Sequence, residues 1–245
     1  MIQEFRCDLH IHTCLSPCGD LGMYPTAIVT GAIEAGLDVI AVCDHNATEN
    51  VPSVIRAAEG KPLTVIPGIE VTSREEVHLL GLFDNMNALS ELQDMVYRSL
   101  KGSNREEKFG CQAVVNEYDE VEGFNERLLI GASEIPLRHV VEEIHRLGGI
   151  SIAAHIDRES FSILGQLGFI PEDLPLDALE LSRRTGPAEA RKLFPQIARR
   201  PVLRSSDAHF IEDIGSASTV IAMKEPVMEE FRKAFRGVDG RYIKT

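Results

Sequence analysis

Six of the eight histidines in this chain sit in short polar motifs set against apolar runs. The first motif is Asp8-Leu9-His10-Ile11-His12-Thr13. Side chains two apart in a strand point to the same side, so His10 and His12 share a face and can bind one metal ion. Cys43-Asp44-His45-Asn46 supplies a third imidazole. Glu70 closes the apolar run Val65-Ile66-Pro67-Gly68-Ile69, where a lone carboxylate is costly unless a cation pairs with it. His78 lies within Val77-His78-Leu79-Leu80-Gly81, and His155 ends Ile150-Ser151-Ile152-Ala153-Ala154. Asp207 and His209 share a face in Ser205-Ser206-Asp207-Ala208-His209. Taken singly, each of the groups after the first motif fits a capped turn or a hydrogen-bonded core residue. Together the eight are nitrogen and oxygen donors on successive strand ends. One site needs only three or four protein ligands, so the set can serve more than one ion. His139 and His145 differ: they fall among Arg138, Glu142, Glu143 and Arg146 on a helical stretch and read as solvated.

These motifs need strands to position them, and the pattern supplies strands. Apolar runs at residues 5–11, 38–43, 63–70, 77–83, 149–154, 178–181, 201–205 and 217–223 read as strands. Helical patterns at 25–35, 51–59, 135–147, 159–167 and 226–235 fall between or after them, with Pro25 at a first turn and Gly36 as a stop. The alternation predicts an α/β fold with mostly parallel strands. Ligand candidates at the C-terminal ends of strands favour a barrel, whose active sites sit on that face. The competing open, doubly wound sheet lacks the glycine-rich phosphate loop after its first strand. Residues 84–134 break the rhythm with a polar helical piece at 88–100, the charged Arg105-Glu106-Glu107-Lys108 and an acidic run at 117–122. They read as a cap inserted over the mouth of a single domain spanning 1–245, since long excursions in compact domains tend to be functional.

Composition sets outer bounds. The chain has 245 residues, 44% of them hydrophobic, enough for a sizeable core. No apolar run is long enough to span a membrane, and the start Met1-Ile2-Gln3-Glu4-Phe5-Arg6 lacks the pattern of a signal peptide, so a cytoplasmic location is expected. Five cysteines, an odd number in a chain that is not short, argue against a disulfide framework. The formal charge of −13 and the absence of a basic stripe argue against a duplex nucleic-acid partner, though less against an enzyme acting on an anionic substrate. Bound metals can still reverse the local sign at an acidic site.

The series Asp-Leu-His-Ile-His-Thr, Asp-His-Asn, Gly-Ile-Glu, the strand histidine His78, Ala-His-Ile-Asp-Arg and Ser-Asp-Ala-His resembles the polymerase and histidinol phosphatase (PHP) family, over residues 5–224. The resemblance implies a distorted, TIM-like barrel of seven βα units and a trinuclear centre of Mn²⁺, Fe²⁺ or Zn²⁺ that hydrolyses phosphate esters. It implies that His10, His12, Glu70 and Asp207 hold one ion. Glu70 would bridge to a second ion held by His78 and His155, and His45 and His209 would hold a third. The chain departs from the family in the loop Thr13-Cys14-Leu15-Ser16-Pro17-Cys18-Gly19-Asp20. Pro17 stands where relatives carry a ligand Asp and cannot coordinate. Cys18 aligns with the His of other relatives, while Asp20 offers a hard carboxylate suited to a phosphate-facing site, and the balance tips slightly to Asp20. A thiolate would favour Zn or Fe over Mn. Arg158 resembles the arginine that follows the ligand turn in relatives and can grip a phosphate in bidentate fashion. Arg183 and Arg184 follow a strand end, with one of them placed to face the mouth. Glu70, Asp207 and Arg158 are thus the expected catalytic groups of a phosphoesterase that acts on a small phosphorylated substrate, a phosphomonoester of a nucleotide or metabolite, with metal-activated hydroxide. Two readings compete. One is an exonuclease acting on short RNA ends, for which 6% aromatics and no Trp give few stacking platforms. The other is a non-catalytic metal-binding module, which rarely needs so many ligands.

Overall fold

Apolar alternation builds β1 (Gln3–Ile11), which runs from an exposed start to a fully buried end. α1 (Pro25–Glu34), with Pro at its first turn, returns the chain to β2 (Val39–Val42), and α2 (Val51–Ala57) leads to β3 (Thr64–Thr72). β4 (His78–Leu82) follows directly. The next segment holds α3 (Met86–Ser99), the short α4 (Glu106–Phe109), and the strands β5 (Ala113–Val115) and β6 (Val121–Phe124). The main sheet resumes with α5 (Leu137–Arg146), β7 (Ile150–Ala153), α6 (Ile163–Leu167), β8 (Ala178–Leu181), α7 (Pro187–Leu193) and β9 (Val202–Arg204). β10 (Thr219–Met223), α8 (Met228–Arg236) and β11 (Tyr242–Lys244) complete the chain. The structure is a computed structural model and describes residues 1–244.

Among the described residues, nine strands form one sheet in the order β11-β10-β1-β2-β3-β4-β7-β8-β9. The sheet curls into a nearly closed barrel. Beyond β9, Ala208 pairs in parallel with Ile11, and the His12 amide donates to the Ala208 carbonyl at 3.0 Å. The expectation of mostly parallel strands needs correction. β1-β2-β3 and β7-β8-β9 are parallel, but β10 and β11 join antiparallel, and β3-β4-β7 run antiparallel throughout. The physical reason lies in the loop at 73–77: five residues allow a hairpin but not the crossover that parallel neighbours require. Helix 159–167 also shortens to α6, because Ser162 caps it by accepting from the Gly165 amide at 2.9 Å.

Alternation along the strands divides the core into two layers. Ile40, Val42, Ile69 and Val71 face out under Ile28, Val29 and Ala32 of α1, Leu89 of α3 and Val140 of α5. Cys7, Val39, Ala41, Ile66, Ile152, Ala178 and Leu203 face in, against Met228 and Phe231 of α8. Glu70 and Glu180 belong by the two-residue period to the inward faces of Ile66 and Ala178, so the fold pushes both carboxylates into the barrel. Among the described residues, no helix is long and apolar enough to cross a membrane.

Within segment 84–134, α3 packs on the outer face of the sheet, and the residues after it lie against the loops at the C-terminal strand ends. The Asn50 side chain donates to the Ala113 carbonyl and accepts from the Val115 amide (3.0 and 2.9 Å). Asn46 donates to the carbonyls of Leu129 and Gly131 (2.8 and 2.9 Å). The acidic run read from the sequence is the turn between β5 and β6, where Asp119 accepts from the Thr26 amide at 3.0 Å.

Candidate metal centre

The strand ends bring His10, His12, His45, Glu70, His78, His155, Asp207 and His209 together at one end of the barrel. Glu70 is fully buried at the centre. Its Oε1 lies 2.8 Å from His78 Nδ1, 3.2 Å from His155 Nε2 and 3.4 Å from His10 Nε2. Its Oε2 lies 2.8 Å from His45 Nδ1 and 3.5 Å from His12 Nε2. Asp207 Oδ1 lies 3.0 Å from His12 Nε2 and 3.4 Å from His10 Nε2. Three triads each bring their ligand atoms within 4.8 Å of one another: His10-His12-Glu70, His45-Glu70-His78 and His12-His45-His209. His155 and Asp207 carry positive φ angles of 30° and 51°, an unfavourable backbone that persists where a site demands it.

Outer hydrogen bonds orient these groups. His10 Nδ1 meets Glu180 Oε1 at 3.0 Å. His12 Nδ1 meets Ser16 Oγ at 2.9 Å, and Ser16 in turn donates to Asp44 Oδ1 at 2.6 Å. Such partners fix the proton on the outer nitrogen and aim the inner one at the site. The inner nitrogens, His10 Nε2 and His12 Nε2, then face each other at 3.1 Å. Glu180 and Asp44 were not assigned roles from the sequence. Glu180 carried a signal: like Glu70, it is a lone carboxylate inside an apolar strand. We expect Glu180→Gln to weaken metal binding about 10- to 100-fold, measured by competition with a chelator. An unchanged affinity would reduce Glu180 to a packing role.

The electrostatics favour cations. Burial pulls His10 down, but Glu180, Asp207 and Glu70 outweigh it and raise its proton affinity well above the ordinary value. Burial pushes Glu70 up, yet His78, His10 and His45 hold it well below the usual carboxylate range. Asp207 is likewise held ionised against burial, by His10 and His12. His78, in contrast, is lowered to about 4 by burial, which keeps a neutral ligand nitrogen. Buried His45 Nδ1, Glu70 Oε2 and His155 Nδ1 have no hydrogen-bond partner among the described residues. The first two lie close but at angles that do not bond. Orphaned donors of this kind around a buried carboxylate fit divalent ions.

In the departing loop, Cys18 Sγ lies 3.1 Å from His209 Nε2 and lines the cleft above the cluster. Burial opposes ionisation of this thiol, but the neighbouring His45 and His209 bring it down to about 6. Asp20 is exposed and spends its Oδ1 on the Gly22 amide at 2.7 Å, while its backbone amide donates to the His209 carbonyl. The geometry thus sets Cys18, and not Asp20, beside His209 in the cleft, while Asp20 holds one carboxylate oxygen in a local Asx turn. We expect Cys18→Ser to lower metal content and Asp20→Asn to leave it unchanged, as read by elemental analysis. The reverse pattern would restore Asp20.

Among the arginines, Arg158 and Arg184 line the cleft, and Arg158 Nη2 meets Asp207 Oδ2 at 2.6 Å. Arg183 pairs instead with Asp213 and is not in the cleft lining. Asp157 fixes the Arg158 loop by accepting from the Ser182 amide and hydroxyl (2.8 and 2.7 Å). Of the two helical histidines, His139 is exposed. His145 is not simply solvated: its Nε2 meets Asp177 Oδ2 at 2.8 Å. The cleft encloses about 720 Å³ and also takes in Ile130, Ser160 and Phe161.

The sequence matches the model of the PHP domain over residues 8–167 and that of the PHP-associated region over 198–237. The chain belongs to the PHP family. Within it, the chain is 27% identical to a 5′–3′ exoribonuclease of Haemophilus influenzae over 154 residues, 59% of this chain and 52% of the relative. It thus spans about half the length of that curated relative. Its fold resembles that of a lesion-specific endonuclease, PfuEndoQ of Pyrococcus furiosus (TM-score 0.78, 20% identity, 98% of this chain and 58% of that one). It also resembles Endonuclease Q in complex with a 27-mer duplex carrying an abasic lesion (TM-score 0.72, 20% identity, 98% and 58%). At these identities the likeness shows the fold. It nevertheless overturns the exclusion of duplex nucleic acid and the expectation of a small phosphorylated partner. Endonuclease Q is seen bound to a duplex, and the curated relative is named an exoribonuclease. Net charge is a sum over the whole surface and does not report the sign inside one cleft.

Proposed function

We propose that this PHP chain hydrolyses phosphodiester bonds at the end of a nucleic-acid strand, with Mn²⁺, Fe²⁺ or Zn²⁺ held in the cluster. The observation that carries this reading is the convergence of eight ligand groups, with orphaned buried atoms, beneath a cleft lined by Arg158 and Arg184. The exoribonuclease relative supports the choice of substrate class. His10, His12, Glu70 and Asp207 form one set of ligands. Glu70, His78 and His155 form a second, and His45, His209 and Cys18 a third. Ions held by these residues would lower the pKa of water towards neutrality and polarise phosphoryl oxygens.

The chain supplies the rest. Glu70 and Asp207 stay ionised at neutral pH and compensate the positive charge. Arg158 and Arg184 neutralise the non-bridging oxygens of the scissile phosphate. The part of segment 84–134 that follows α3 acts as the cap, placing Ile130 in the cleft wall and limiting water around the reacting phosphate. The test uses 5′- and 3′-labelled RNA and DNA, single-stranded and duplex, with added Mn²⁺. Stepwise release of mononucleotides from one end is expected. Intact oligonucleotides alongside rapid turnover of p-nitrophenyl phosphate would identify a phosphomonoesterase instead and reject this reading.

A further inference from the structure

Phe161 plays no part in the hydrolytic arrangement, yet it occupies the cleft wall with 41% of its surface exposed. With Ile130 it is one of two large apolar side chains in an otherwise polar lining. Its backbone has φ of 58°, a region that a bulky side chain adopts only under constraint. Gly or Asn would sit there without strain. The surrounding loop imposes the conformation. The His78 amide donates to the Phe161 carbonyl at 2.9 Å, tying the loop to β4. Ser162 donates to the Arg158 carbonyl at 2.6 Å while capping α6. A Cβ on Gly165 would lie 2.2 Å from the Glu159 carbonyl oxygen, so only glycine lets α6 pack against this loop. The outcome is a phenyl ring laid against the His78 imidazole, centroids 4.9 Å apart and planes 23° apart.

We propose that Phe161 is a stacking platform for the base of the terminal nucleotide whose phosphate is cleaved. The inference deepens the proposed function and rests on it. One short loop then carries three parts of substrate recognition: the ligand candidate His155, the phosphate-gripping Arg158 and the base-stacking Phe161. Every base offers a π face, so a platform of this kind selects for the presence of a base and not for its identity.

The test places 2-aminopurine at the terminal nucleotide that the enzyme releases, next to a phosphorothioate linkage that slows cleavage, and titrates it with the metal-loaded full chain. Wild type and Phe161→Tyr are expected to quench its fluorescence. Phe161→Asn keeps a residue suited to the left-handed backbone and is expected to lose the quenching and bind about tenfold more weakly. An abasic terminal residue should bind wild type as weakly as the complete oligonucleotide binds Phe161→Asn. Equal quenching and affinity in wild type and Phe161→Asn, with normal nucleotide release by the wild type, would overturn the stacking role and leave the functional reading standing. No release of any nucleotide by the wild type would overturn both.

Discussion

Glu70→Gln is expected to lower metal-dependent turnover at least about a hundredfold while the chain stays folded. The two oxygens of Glu70 lie within 3.5 Å of five imidazoles, those of His10, His12, His45, His78 and His155. An amide is nearly isosteric but uncharged, and its nitrogen is a poor ligand. The substitution therefore removes the anion that balances the centre without changing packing volume. Circular dichroism and initial rates measured on the same preparation check this. A folded Glu70→Gln variant with full activity would reject the bridging role.

The second large effect is expected at Arg158. Arg158→Ala should lower kcat/KM roughly a hundredfold, the usual cost of losing one donor to a developing charge. Arg158→Lys should recover only part of that, because an ammonium keeps the charge but not the two-pronged geometry. Metal content is expected to be unchanged in both, since Arg158 donates nothing to a cation. Arg158 meets Asp207 at 2.6 Å, so metal analysis of each variant separates lost phosphate binding from a disturbed Asp207. Arg158→Ala with wild-type kcat/KM would exclude a role in phosphate binding.

Much of the candidate site was legible because buried polar residues on strands are unusual. His10 and His12 alternate with apolar neighbours, and Glu70 ends an apolar run, so each drew notice from pattern alone. Glu180 has the same signature, but β8 is only four residues long and gives little context. For Cys18 and Asp20, spacing favoured the thiol and ligand hardness the carboxylate, and no motif showed that Asp20 would hold one oxygen in a local turn. Strand positions were legible from short apolar runs, whereas strand direction depended on loop length, and the five residues before β4 allow only a hairpin. The β5–β6 pair escaped because its strands are short and its turn acidic, and β11 because a three-residue strand carries almost no pattern. Phe161 offered no signal at all: its exposure and its left-handed backbone arise from the loop around it. The conclusion drawn from net charge failed because it treated a whole-surface sum as a property of one cleft.

The most direct test of the account is metal content. Protein purified without chelator and reconstituted separately with Mn²⁺, Fe²⁺ and Zn²⁺, then desalted, is expected to retain at least about two equivalents per chain with one or more of these ions, because its donors outnumber the three or four that a single site uses. Retention of less than about one equivalent with all three would contradict the cluster, and with it the hydrolytic chemistry assigned to this cleft.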